Sequence, residues 1–407
     1  MKESSKNFLI SLVVILLFTL VLQYTSLINV SAADDHYFFN CKNKDYKVYV
    51  KSLNGTQVKA DCTSIIIKKN GSIVSRNLID FGDKNDSIET LTNLKKTSIY
   101  NKSSTTYKID NMVLTHAHID HVKGLKSLYN EMKKNKKIKV HIGTLYLNYV
   151  YITNGDASHK HYNLLADLKD LAAMTGKFTV ENVCVFTRYN YDISNFNVKD
   201  KLSGLAKLVK KANGKASTWS CKNTIKKVNV GGGVFMTILP AITKFDNGQP
   251  EDDVNNSTLM VVIKDKTMGT NGTGNFKIDI MSDIKVATNK GAIEGIEKLL
   301  EQDKSGNYKY SQYISELSKN KFEELILKMP HHGVFGYTSY QKGMLKKMFK
   351  VMEPTWVIGT AWTVKDRQKS YQDCRSFINS LNNEIDEKYE GPFIDIEKTF
   401  NNIAFIY

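Results

Sequence analysis

The sequence predicts a mixed α/β fold, and three observations carry that reading. Tyr46 to Val50, Ser64 to Ile67 and Ile73 to Ile79 have the length and side chains of strands. Met112-Val113-Leu114 ends a buried strand, and Val122, Leu125, Leu128, Tyr129 and Met132 then recur at helical spacing, giving a strand, a loop and an amphipathic helix in succession. Strand-like segments also crowd both ends of the chain around a more helical middle. The 407 residues suffice for one large domain or two small ones, and an apolar fraction of 42% is ordinary for a globular protein. Five prolines and no internal period exclude a repeat array or a low-complexity tail.

The loop of that strand-loop-helix corner is the most informative segment. Within Leu114-Thr115-His116-Ala117-His118-Ile119-Asp120-His121 it carries three imidazoles and a carboxylate, the donors that zinc and similar ions prefer. His116 and His118 can reach one ion from the loop, while Asp120 and His121, at the helix start, can reach a second. Five of the nine histidines fall here or in the pair His331-His332, a clustering that simple helix capping by Asp120 does not explain.

Other elements follow in order. Leu78-Ile79-Asp80-Phe81-Gly82-Asp83 closes the second early hairpin strand. The stretch from about Leu145 to Lys227 reads as an enlarged region with helices near Tyr162 to Met174 and Leu202 to Ala212. Its His159, His161, Tyr149 and Tyr151 are read as exposed loop residues by default. Gly231-Gly232-Gly233 reads as a hairpin turn, since no Gly-Lys-Ser/Thr follows it to make a phosphate loop. Ile278 to Asp283 ends another apolar strand in a carboxylate, and Leu325 to Gly333 ends another in two histidines. Thr338 or Ser339 caps a helix whose apolar face includes Met344, Leu345 and Met348, Trp356 to Thr360 is a strand, and Ile403 to Tyr407 closes the sheet. Trp362, just past the 356–360 strand, is placed either in the core or against a ligand ring.

Taken together, His116-x-His118-x-Asp120-His121, Asp283 and the final histidine pair resemble the metallo-β-lactamase superfamily. The segment Lys328-Met329-Pro330-His331-His332-Gly333 is similar to the Lys-x-Pro-His-His-Gly of ComEC-type competence hydrolase domains, and Asn255 to Val262 resembles the Asn-Asn-x-Ser-Leu-Val segment of the same subgroup. Leu78 to Gly82 is similar to the Leu-Ile-Asp-x-Gly that opens the superfamily domain. These matches keep their order from about Asp61 to about Gly359. A second resemblance is to the phosphorylcholine esterases of choline-binding proteins, through the spacing Asp253, Asn255, Ser257.

The resemblance implies an αββα sandwich over about 36–407, with metals at the sheet edge. It implies two divalent ions, zinc or alternatively manganese. His116 and His118 would hold the first, Asp120 and His121 the second, and Asp283 would bridge them. One of His331 and His332 would join the second ion and the other would serve as proton donor or phosphate contact. The bridging hydroxide would attack an anionic phosphodiester, with DNA the leading candidate and a cell-wall or lipid headgroup such as phosphorylcholine the rival. The alternative of another class is a non-catalytic metal- or surface-binding protein. Two departures qualify the match. Asn255 or Asn256 stands where relatives carry a third histidine, which weakens the first ion's ligand set, and Lys123 stands where many have glycine.

Residues 1–33 read separately. Lys2 and Lys6 precede an uncharged apolar run from Phe8 to Leu22, and Val30-Ser31-Ala32-Ala33 offers the small residues of a cleavage site. The expectation is a cleaved signal peptide rather than a retained anchor, which places the protein outside the cell or on the outer face of the membrane. Cys41, Cys62, Cys184, Cys221 and Cys374 lack Cys-x-x-Cys spacing and read as small buried residues. The formal charge of +16 favours a polyanionic partner or the cell envelope, although with only four arginines it lacks the bidentate grip of specific phosphate recognition.

Overall fold

The computed structural model describes residues 37–41, 45–52, 61–82, 87–148, 164–187, 218–242, 258–265, 274–286, 295–320, 322–333, 338–354 and 356–358, with a few positions beyond them, among them 393–394. Two sheets stack face to face. The first is built from β1 (Tyr37–Asn40), β2 (Tyr46–Ser52), β3 (Thr63–Lys69), β4 (Ser72–Ile79), β5 (Tyr100–Asn101), β6 (Thr106–Leu114), β7 (Lys139–Asn148), β8 (Phe178–Phe186) and β9 (Thr218–Lys222). Its order is β1-β2-β3-β4-β6-β7-β8-β9, with β5 paired to β6. Antiparallel pairing through β4 gives way to parallel pairing from β4 to β9.

The second sheet repeats that plan. It contains β10 (Lys226–Gly231), β11 (Val234–Leu239), β12 (Met260–Asp265), β13 (Gly274–Ile280), β14 (Phe322–Lys328), β15 (Trp356–Ile358) and β16 (Phe393–Ile394), in chain order. Pairing is antiparallel to β13 and parallel thereafter. The described helices are α1 (Ser87–Lys95), α2 (Ile119–Val122), α3 (Gly124–Lys134), α4 (Leu164–Ala172), α5 (Gly295–Leu299), α6 (Ser311–Leu317) and α7 (Ser339–Met352).

Strand alternation sorts side chains into layers. Met112 and Leu114 of β6 pack with Leu94, Leu125, Leu128 and Leu168 of the helices on the outer face of the first sheet. Between them in sequence, Val113 points the other way and joins Ile65, Ile79, Met236, Val261, Ile278 and Ile326 between the two sheets. On the far side, Val262, Leu325 and Leu327 meet Leu317, Leu345 and Phe349 of α6 and α7. Helix, sheet, sheet, helix is therefore the layer order, the αββα architecture that the resemblance implies.

Turn chemistry explains the local chain reversals. Asn70 (φ 47°) and Gly71 (φ 81°) make the tight β3–β4 turn, where both central residues need positive φ. The expected turn at 231–233 joins β10 to β11. Thr338 caps α7 and accepts from the Gln341 backbone, with the reciprocal bond of a capping box.

The region 145–227 differs from the helical insertion expected. Its described residues hold one helix, α4, but also the end of β7 and the strands β8 and β9, which extend the first sheet in parallel register. Val180, Val183, Val185 and Phe186 are buried on one face or the other, and a strand buried on both faces loses the clean alternation that would have marked it in the sequence. The expected helix at Leu202 to Ala212, the closing strand at Ile403 to Tyr407, the N-terminal 33 residues, His159, His161, Tyr149, Tyr151 and Trp362 lie outside the described residues. Among the described residues no helix is long and apolar enough to cross a membrane.

Candidate metal centre

Every strand that the sequence ended in ligand-type residues stops at the same edge of the sandwich. β6 delivers His116, His118, Asp120 and His121 from the first sheet, β13 delivers Asp283 from the second, and β14 delivers His332. His116, His121, Asp283 and His332 are each 1% exposed or less. Donor atoms gather into two groups that share Asp283. One group is His116, His118 and Asp283, and the other is Asp61, His121, Asp283 and His332, with the donors of each group within 4.8 Å of one another.

Three imidazoles present the same nitrogen inward. His121 Nε2 is 3.2 Å from Asp283 Oδ1, His332 Nε2 is 3.5 Å from the same oxygen, and His116 Nε2 is 3.7 Å from Asp283 Oδ2. His118 turns Nδ1 toward His116 Nε2 at 3.1 Å. Asp120 Oδ2 is 3.3 Å from His332 Nε2, which brings Asp120 beside the second group.

Outer contacts set those orientations. Asp80 Oδ2 accepts from His121 Nδ1 at 2.8 Å, while Asp80 Oδ1 accepts from the Thr115 backbone at 2.8 Å. Thr115 Oγ1 also donates to Asp80, and Ser282 Oγ donates to Thr115 Oγ1 at 2.8 Å. With its one proton committed, Thr115 Oγ1 accepts from His116 Nδ1 at 3.0 Å. The His116 Nε2 lone pair therefore points inward.

Charge follows the same plan. Burial and the neighbouring His121 and His118 hold the His116 imidazole well below its usual range. Burial alone would depress His121, but Asp283 and Asp80 outweigh it and raise that imidazole well above its usual range. His332 is likewise driven up, to about 10, by Asp283 and Asp61 against the opposing effect of burial. Burial would raise Asp283, yet His332 and His121 hold it well below the usual carboxylate range. Without cations, protons on His121 and His332 carry the positive charge that the carboxylates require.

The donors fit a metal cation. Buried Asp283 Oδ1 and His121 Nε2 face each other at 3.2 Å, yet neither makes a hydrogen bond of acceptable geometry. Orphaned buried polar atoms are costly, and a cation between them would satisfy both. Imidazole and carboxylate are the donor types that zinc, and with more oxygen ligands manganese, accept.

Backbone strain concentrates here. Of eight non-glycine residues with positive φ among the described residues, Asp80, Ser282, His331 and His332 lie at this edge. His332 enters the donor group. His331, at φ 47° and partly exposed, donates its backbone N–H to the Ser282 carbonyl at 2.9 Å and belongs to neither group. Thus the pair His331-His332, which the sequence left undivided, is resolved by a left-handed turn that sends one imidazole in and leaves the other at the rim.

Lys123 adopts ordinary right-handed helical angles, φ −68° and ψ −18°, so no glycine is required there. The close approach falls one residue on, where a Cβ on Gly124 would lie 2.0 Å from the Phe81 carbonyl oxygen. Asn255 and Asn256 lie outside the described residues. From the same segment, Thr258 places its hydroxyl 3.4 Å from His116 Nδ1. Asp61 is the donor that the motif reading missed. It precedes β3 without any histidine nearby in sequence, and only the tertiary packing brings it to the site.

No family model and no curated protein matches the chain. Solved structures do. Tm1679, a metal-dependent hydrolase of the β-lactamase superfamily, aligns over 86% of this chain and 95% of its own at 12% identity and a TM-score of 0.38. Zinc-bound PqqB from Methylobacterium extorquens aligns over 65% and 59% at 11% identity and a TM-score of 0.29. The metallo-β-lactamase-fold protein YhfI from Bacillus subtilis aligns over 77% and 97% at 11% identity, also with a TM-score of 0.29.

Proposed function

We propose that the chain is an exported metal-dependent hydrolase that cleaves phosphodiesters, with a nucleic-acid strand as its substrate class. The observation that carries the hydrolase reading is the convergence of His116, His121 and His332, each through Nε2, on the single carboxylate of Asp283. A purely structural polar cluster would satisfy its own hydrogen bonds, whereas this one leaves Asp283 Oδ1 and His121 Nε2 without any.

Residue roles follow from the geometry. His116, His118 and Asp283 would hold one divalent ion, and Asp120, His121, Asp283 and His332 the other. Bound there, such ions supply Lewis acidity and bring the ionisation of a water molecule toward neutral pH. Asp80 and Thr115 keep His121 and His116 in the tautomers that point Nε2 inward. His331, at the rim, would contact the substrate or hand a proton to the leaving oxygen. The net charge of +16 supports an anionic substrate and attraction to the cell envelope. The apolar run in the first 33 residues supports export.

The test pairs single-stranded DNA with a chromogenic phosphodiester, using protein that lacks the first 33 residues and is loaded with zinc or manganese. Cleavage of both supports the nucleic-acid reading. Cleavage of the small diester alone favours a headgroup such as phosphorylcholine. If two ions bind and neither substrate is cut, the hydrolase reading falls to a non-catalytic binding protein.

A further inference from the structure

The ligands come from both sheets, so the site is only as well defined as the alignment of the two sheets at this edge. His116, His118, Asp120 and His121 follow β6, whereas Asp283 and His332 follow β13 and β14. A contact bridging the two sheets beside the ligands therefore has a lever on their geometry.

Asp61 makes such a contact. Its backbone N–H donates to the Asp120 carbonyl at 2.9 Å and its carbonyl accepts from Gly82 at 2.9 Å, which pins it to the two loops of the first sheet that carry Asp120 and Asp80. Its side chain crosses to the second sheet. Asp61 Oδ2 is gripped by the ammonium of Lys328, the last residue of β14, and Asp61 Oδ1 faces His332 Nδ1 at 3.6 Å. Asp61 is 3% exposed and Lys328 is 7% exposed.

We propose that Asp61, clamped by Lys328, is a positioning residue that orients His332 across the two sheets so that its Nε2 serves the second ion. The inference rests on the metal reading of the site given above. Asp61 stands to His332 as Asp80 stands to His121: each carboxylate faces Nδ1, and each imidazole gives Nε2 to Asp283. Ligating histidines are commonly oriented by a carboxylate of this kind. Lys328 holds Asp61 Oδ2 and so fixes the turn of the carboxylate that presents Oδ1 to His332. Oδ2 also lies 3.9 Å from His121 Nε2, and by occupying it the ammonium would keep Asp61 an outer support in place of a ligand.

Calorimetric titration of the full chain with zinc tests this through binding, independently of turnover. Asp61→Asn is expected to weaken the second zinc by about 10- to 100-fold, the usual effect of losing an outer partner, while the first stays within about threefold. Lys328→Met should shift the same ion in the same direction, and Lys328→Arg should recover most of the loss. The core variant Ile66→Val serves as a control for stability alone and should keep both affinities. Unchanged zinc binding in both Asp61→Asn and Lys328→Met would overturn the proposal, as would equal weakening in Ile66→Val. Loss of one whole equivalent in Asp61→Asn but not in Lys328→Met would also overturn it, by making Asp61 a direct ligand. Should the wild-type chain take up no zinc or manganese, the metal reading itself fails, a result distinct from any of these.

Discussion

Asp80 Oδ2 stands 2.8 Å from His121 Nδ1, and this contact decides which nitrogen of His121 faces Asp283. The same carboxylate accepts the backbone N–H and the hydroxyl of Thr115, which in turn supports His116. One residue outside both donor groups therefore orients a ligand in each.

Removing that residue should cost both stability and metal. Asp80→Ala strands the buried Thr115 N–H and His121 Nδ1, and two such losses at about 1–3 kcal/mol each predict destabilisation on the order of 3 kcal/mol. Urea denaturation of the metal-free protein measures it. Asp80→Asn, which keeps an acceptor, should cost less stability and still weaken zinc binding by about 10- to 100-fold.

The two adjacent histidines should behave differently. His332→Ala removes a buried donor aimed at Asp283 and is expected to lower kcat by more than about 100-fold, with loss of one metal equivalent. His331→Ala should leave metal content intact and lower kcat by about 100-fold, the lower end of a general acid's contribution. Equal loss of metal in the two variants would contradict the assignment.

In the absence of metal, stability should fall on both sides of a mildly acidic optimum. His121 and His332 have folded pKa values raised above the ordinary 6.5, so what they contribute is fully present below 6.5 and is lost as pH rises, for His332 through about 10. Asp283 and Asp120 are held below the ordinary 3.8, so their contribution is present above 3.8 and is lost as pH falls through their lowered values. Thermal melts of the metal-free protein should therefore peak between about pH 4 and 6.5. Saturating zinc should remove the part of the alkaline decline that belongs to His121 and His332, since cations replace the imidazole protons, and titrations near pH 7 in buffers of different ionisation enthalpy should register proton release.

Two glycines offer a contrast in packing. At Gly124 a methyl group would overlap the Phe81 carbonyl, next to the chain that carries Asp80, so Gly124→Ala is expected to destabilise by about 1–3 kcal/mol or more and to weaken metal binding with it. Gly343 sits in the exposed interior of α7 with nothing within 4 Å of an added Cβ. Gly343→Ala should stabilise by about 0.5–1 kcal/mol and leave the site untouched. Chemical denaturation alongside metal titration reads both.

Away from the site, Asp279 is fully buried on the helix side of β13, and neither of its oxygens accepts a hydrogen bond. Burial raises its carboxyl to about 7, with Lys277 3.8 Å away only partly offsetting the cost. Its folded pKa exceeds the unfolded 3.8, so the stability linked to its proton is lost as pH rises through about 7. Asp279→Asn should thus raise the melting temperature more at pH 8 than at pH 5. An equal change at both would mean that the carboxylate is solvated in solution.

Much of this protein was legible in the order of its residues. The cluster from His116 to His121 announced donor chemistry because imidazole and carboxylate rarely crowd six residues for another reason. The early strands and the helix after the loop followed from side-chain periodicity, and Asp283 and the histidine pair were visible as polar stops to apolar strands. β8 was not, because a parallel strand covered on both faces loses its alternation. Asp61 carried no local signal, and the choice of His332 over His331 turned on a left-handed backbone that non-glycine residues adopt only when their surroundings hold them there. Sequence by itself determined the donor types and the mixed α/β character, since both depend on neighbours along the chain, and the layer order came with the family resemblance. Only tertiary structure decided which atoms meet, because Asp61, Asp80, Asp283 and His332 reach one point through the stacking of two sheets, a long-range alignment that no local pattern encodes.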